Sequence, residues 1–133
     1  MASIEIASDL DELPRVVAFI EEFVEEHAIP ATAAMHLNLA LEELITNVIV
    51  HGYEGTRGSI GLVLEREGER VSAVLTDRAR AYDPFSTPEP DLDAPIEERG
   101  IGGLGVHIVR EMAESYDYER RGDENRVRIS LRA

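Results

Sequence analysis

At 133 residues, with 44% hydrophobic and 30% charged residues, the chain is sized for one domain, residues 1–133, built on a single core. It has no cysteine, which excludes a disulfide framework, a thiol nucleophile and a zinc–thiolate site. The net charge of −14 argues against a nucleic-acid surface, and all thirteen basic residues are arginine, which closes P-loop, eukaryotic-type protein kinase and Schiff-base chemistries that need a lysine.

No apolar run reads as a membrane helix and no basic-then-apolar leader opens the chain, so a cytoplasmic protein without a membrane partner is expected. The acidic balance suits a basic protein partner. In chain order, Ser3–Ala7 alternates as a short strand. Asp9 or Asp11 can cap a helix running to about His27, with Leu13, Val16, Val17, Ile20, Phe23 and Val24 as its apolar stripe and Pro14 in its first turn. Pro30 breaks the chain, Thr32 can cap a second helix ending near His51, and Gly52 reads as its stop. Ser59–Arg66 and Arg70–Thr76 flank Glu67-Gly68-Glu69 as a hairpin. Ala81–Arg99, with four prolines and several acids, reads as a long loop of the kind that is usually functional. A third helix is expected over Leu104–Ser115, and Tyr116–Arg120 with Arg126–Arg132 as a closing hairpin. Together these predict a mixed α/β layer with helices on one face of a sheet.

Three places carry chemistry. In Glu42–Gly52, positions four apart put Glu43, Asn47 and His51 on one helical face beside Leu41, Leu44, Ile45 and Val48. Polar groups there need partners, and a nucleotide with its cation would supply them. A boundary stripe with Asn47 and His51 hydrogen-bonded inside the fold fits the segment equally well. Asp77 ends a strand where its carboxylate can accept from an exocyclic amine such as that of adenine, although aspartate also starts turns. Gly100–Val109 opens the third helix with four glycines in six positions, so its backbone N–H groups and helix N-terminus form a phosphate cradle. Gly100-x-Gly102-x-x-Gly105 also matches the dinucleotide fingerprint, but no βαβ unit surrounds it.

In this order, Glu43-x-x-x-Asn47, Asp77 after a strand, a long loop and Gly102-Gly103-Leu104-Gly105 into a helix resemble the gyrase/histidine-kinase-like ATPase superfamily. More closely, Glu43–Tyr53, "DRARAYDPF" and "GIGGLGVHIVR" look like the small anti-sigma-factor serine/threonine kinases, over roughly Ile4–Leu131. The resemblance implies an α+β two-layer sandwich, a mixed but mostly antiparallel sheet with three helices on one face. It implies that Asn47 gives its amide oxygen to Mg²⁺, Glu43 is the general base, and Asp77 binds the adenine amino group. Gly100, Gly102, Gly103, Leu104 and Gly105 would hold the phosphates of ATP under a lid formed by Ala81–Arg99. Asn125 would touch adenine through water. Arg99 is a candidate for the γ-phosphate, or an arginine balancing Glu97 and Glu98. One departure from the family pattern is Ala79 where glycine is usual; alanine does not easily take positive φ, which puts the backbone approach to adenine in question.

The implied function is an ATP/Mg²⁺-dependent protein kinase that phosphorylates a small antagonist domain and binds a sigma factor. The alternative is an ATP/ADP-binding regulatory module without phosphotransfer. Neither reading fixes the oligomeric state, with a homodimer among the options.

Overall fold

A computed structural model of the chain describes residues 1–86 and 104–133. Its elements run β1 (Ala2–Ala7), α1 (Leu13–Glu26), α2 (Ala31–Asn47), β2 (Ser59–Glu67), β3 (Arg70–Asp77), α3 (Leu104–Met112), β4 (Ala113–Arg121) and β5 (Glu124–Arg132). Short 3₁₀ turns at Leu10–Glu12 and Pro84–Ser86 join them, and a π-helical stretch, Val48–Tyr53, extends α2.

The strands form one sheet in the order β1-β2-β3-β5-β4, and every pairing is antiparallel. Period-two alternation sends Ile60, Leu62 and Leu64, Val71, Ala73 and Leu75, and Val127, Ile129 and Leu131 to one face. Against them pack Val16, Ile20 and Phe23 of α1, Leu37, Leu41, Leu44 and Ile45 of α2, and Val106 and Val109 of α3. This is the expected α+β two-layer sandwich with three helices on one face.

Several boundaries differ from the sequence reading. Asp9 caps only the 3₁₀ turn, accepting from the Asp11 N–H at 2.9 Å, and α1 begins after it. Pro30, not Thr32, occupies the N-cap of α2, with no side-chain cap bond. Gly52 does not stop that helix: the backbone coils on to Tyr53, and Glu54 turns it at φ 50°. α3 ends at Met112, because Ala113–Arg121 finds a better partner in β5 than the end of a helix offers. Ala31–Tyr53, 23 residues long, is also long and apolar enough to cross a membrane, with mean hydropathy 1.2 over an 18-residue window, contrary to the sequence reading. Its apolar residues instead form the core, with Leu37, Ala40, Leu41, Leu44, Ile45 and Ile49 buried.

A tyrosine locks the end of that long helix to the sheet. Tyr53 Oη donates to the Ser59 carbonyl at 2.7 Å and accepts from the Arg78 N–H at 2.9 Å. Its ring lies where a Cβ on Gly58 would come within 2.1 Å, so only glycine leaves room for it.

Candidate functional site

Asp77 continues the buried row of β3, Val71–Ala73–Leu75, and so faces the helices rather than solvent. It is 5% exposed, and the β3–β5 register sets it directly opposite Asn125, itself 3% exposed. Asp77 Oδ1 accepts from Asn125 Nδ2 at 2.8 Å and from the Ala79 N–H at 2.9 Å. Those bonds converge on one oxygen and leave Oδ2 as the acceptor available to a ligand.

Asn125 is committed on both sides. Its Nδ2 also reaches the carbonyls of Ala79 (3.2 Å) and Arg80 (2.9 Å), and its Oδ1 accepts from Tyr118 Oη (2.5 Å) and Arg120 Nη1 (3.1 Å). Because an amide carries two donor hydrogens and two acceptor lone pairs, this set uses its whole capacity. Asn125 therefore orients Asp77 and the β3–loop junction, and has no free group for a water-bridged contact to adenine.

Ala79 raises no strain. It is absent from the residues with positive φ, its N–H closes the turn onto Asp77, and it is 5% exposed. The accommodation lies opposite it: a Cβ on Gly52 would approach Ala79 Cβ to 2.9 Å, so the glycine sits on the helix side of the contact. The two positions form a close backbone approach with one methyl between them.

Above this floor lies a small pocket, with about 340 Å³ of empty space once its open mouth is counted. Leu44, Val48, Leu75, Ala79, Pro84 and Val127 give it apolar walls, while Asn47, Asp77, Arg80, Tyr82 and Asn125 supply the polar groups. A flat, mostly apolar ring with one exocyclic amine matches that distribution.

α2 brings Asn47 to this pocket and Glu43 beside it. Asn47 is 7% exposed, and its Nδ2 makes a long 3.5 Å contact to Glu43 Oε1. A carboxylate can only accept, so it turns the amide nitrogen toward itself and leaves the amide oxygen free for another donor or a cation. Partial burial raises the Glu43 carboxyl above its ordinary range, against the opposing pull of the Asn47 contact and the nearby His51. His51 itself is exposed, because the π-helical stretch begins at Val48 and breaks the four-residue spacing expected to align it with Glu43 and Asn47.

The structure thus brings Glu43, Asn47, Asp77 and Asn125 to one end of the sheet. Leu104 and Gly105 open α3. Arg99, Gly100, Gly102, Gly103 and most of the expected lid Ala81–Arg99 lie outside the described residues. Sequence reasoning missed Tyr82, whose hydroxyl is pushed up by burial and then by the charges of Glu43 and Asp83. It also missed Tyr118 and Arg120, which hold Asn125. Only the "DRARAYDPF" string pointed near Tyr82; nothing local marks the other two.

A family described as the histidine kinase-like ATPase domain matches residues 6–131. The chain belongs to this family. Among members of known name, it is 27% identical over 95 residues to the serine/threonine-protein kinase BtrW of Bordetella bronchiseptica, covering 71% of this chain and 67% of that one. It is 24% identical over 83 residues to the serine-protein kinase RsbW of Bacillus mycoides, covering 59% of this chain and 51% of that one. The chain thus spans between half and two thirds of these relatives. Among solved folds, it superposes on the RsbU and RsbW domains of a Mycobacterium tuberculosis protein with TM-score 0.64 and 15% identity, over 99% of this chain and 32% of that one. The histidine kinase AdeS of Acinetobacter baumannii gives TM-score 0.52 and 16% identity, over 99% of this chain and 68% of that one. These likenesses agree with the ATPase-domain fold.

Proposed function

We propose that this ATPase-domain protein is an ATP-dependent serine/threonine protein kinase of the anti-sigma type, acting in the cytoplasm. It passes the γ-phosphate to a hydroxyl of a small antagonist domain and binds a sigma factor in alternation. The observation that carries the reading is the pocket shared by a buried, pre-oriented Asp77 and a free Asn47 amide oxygen, with a half-buried Glu43 of raised pKa in contact with Asn47 beside it. The kinase names of the Bordetella and Bacillus relatives support it.

Asp77 Oδ2 accepts the adenine amino group, and the Asn125 network keeps that oxygen from rotating away. The residues also fit a magnesium ion carried in with the nucleotide. Among the described residues no cluster of three His, Asp or Glu side chains could cage a cation alone, so one amide oxygen from Asn47 must be completed by phosphate and water. When bound, Mg²⁺ neutralises phosphate charge and lowers the barrier to transfer. Glu43 accepts the proton of the attacking serine or threonine hydroxyl. Its raised pKa makes it a stronger base than an exposed carboxylate.

The test is incubation of the chain with ATP, Mg²⁺ and a small antagonist domain that co-purifies with it, read by mass of the antagonist. Gain of one phosphoryl group is expected. Tight nucleotide binding with no transfer would leave the regulatory-module reading standing instead.

A further inference from the structure

The sheet face away from the helices holds a second concavity, unrelated to the nucleotide pocket. It measures about 640 Å³, open side included, and is lined by Glu65, Arg70, Ser72, Ser115, Asp117, Arg128 and Ser130, with Glu67 at its rim. Strand register builds it. Ser72 of β3 and Ser115 of β4 both stand opposite Ser130 of β5, giving three hydroxyls in a row across three strands. Their Cβ atoms are spaced about 5 Å apart, as cross-strand neighbours are. The register shift between Ala113 and Ser115 is what turns Ser115 onto this face, and bulges of that kind re-aim side chains at sites.

Two observations separate the row from an ordinary solvated face. Ser130 is 4% exposed, yet its Oγ has no hydrogen-bond partner, a costly arrangement for a buried hydroxyl. Arg128, two residues along the same strand, is exposed and makes no ion pair among the described residues, whereas Arg70 is held by Glu114 at 3.0 Å. A buried hydroxyl without a hydrogen-bond partner thus lies two residues from a guanidinium that forms no ion pair, with Asp117 directly opposite it on β4.

We propose that this groove binds a phosphoryl oxyanion. The serine hydroxyls and Arg128 donate to its oxygens, with the long Arg128 side chain swinging to admit it. Glu65 and Asp117 at the two flanks set the selectivity. A carboxylate can only accept, so it requires a protonated oxygen on the ligand, which hydrogen phosphate carries and sulfate lacks.

The experiment is titration of the intact ¹⁵N-labelled protein with inorganic phosphate, with sulfate and O-phosphoserine in parallel. Amide shifts are expected at Ser72, Ser115, Arg128 and Ser130 but not at Asp77 or Asn125, with sulfate weaker. Ser130→Ala should weaken phosphate binding roughly tenfold, the usual worth of one hydrogen bond to a charged group. Arg128→Gln, on an exposed position that folding does not need, should weaken it at least as much. If only phosphoserine binds, whose dianion near pH 7 lacks a protonated phosphoryl oxygen just as sulfate does, the selectivity assigned to Glu65 and Asp117 fails and the proposal with it. Shifts confined to Asp77 and Asn125, equal binding by both variants, or shifts that follow protein concentration instead of phosphate would overturn it.

Discussion

Glu43 and its neighbour Glu42 differ by one residue and by about 100° around the helix. If Glu43 is the base, Glu43→Gln should retain Mg-ATP affinity while lowering phosphoryl transfer roughly 10²–10⁴-fold, and Glu42→Gln should change the rate little. The same residue makes a stability prediction. Its folded pKa is raised above the ordinary 4.5, so the folded protein holds that proton more tightly than the unfolded chain does. The resulting stability is present below that value and lost as pH rises through the raised one. Glu43→Gln cannot ionise, so its melting temperature should exceed that of wild type near neutral pH, with the advantage shrinking below pH 4.5. A pH-independent difference would mean that Glu43 is not perturbed in solution. Asn47→Ala should weaken Mg-ATP binding far more than metal-free ATP binding, measured by calorimetry with and without chelator. Equal losses in the two conditions would remove Asn47 from the cation shell.

At the scale of elements, the strand pattern was the legible part. Alternation in "VSAVLTD" already placed Asp77 on the same face as Val71, Ala73 and Leu75, and the Glu43/Asn47 spacing needed only a regular helix. Contacts made between distant segments were not legible. The π-helical stretch ends at Tyr53, which bonds to Ser59 and Arg78, the latter 25 residues on. No local propensity in "VIVHGY" announces that. The early end of α3 is a similar case, decided by pairing with β5. The bonding of Asn125 was not legible, since its five partners come from β3, β4 and the turn after Asp77. Two predictions follow at this scale. Tyr53→Phe should cost about 1 kcal/mol, measured by denaturant unfolding, because a part-buried N–H and carbonyl lose their partner. Gly52→Val should weaken nucleotide binding more than it lowers stability, since the added side chain meets Ala79 in the wall of the pocket. A Gly52→Val protein that binds ATP normally would show that this close approach does not shape the site.

For the molecule as a whole, the fold divides labour between the two faces of one sheet. The helix-covered face ends in the pocket floored by Asp77, and the open face carries the arginine- and serine-lined groove. On the proposed reading, a chain without lysine meets a triphosphate through amide, carboxylate and backbone chemistry. The net charge of −14 keeps its overall surface attractive to basic partners. The central claim is that the pocket not only holds ATP but transfers its phosphate through Glu43. The most direct measurement follows ³²P from γ-labelled ATP onto the antagonist domain, comparing wild type with Glu43→Gln at saturating Mg-ATP. The account predicts label on a serine or threonine with wild type and a loss of at least 10²-fold with the variant, at matched nucleotide occupancy. Equal labelling by the two proteins, or full occupancy without label in either, would contradict it.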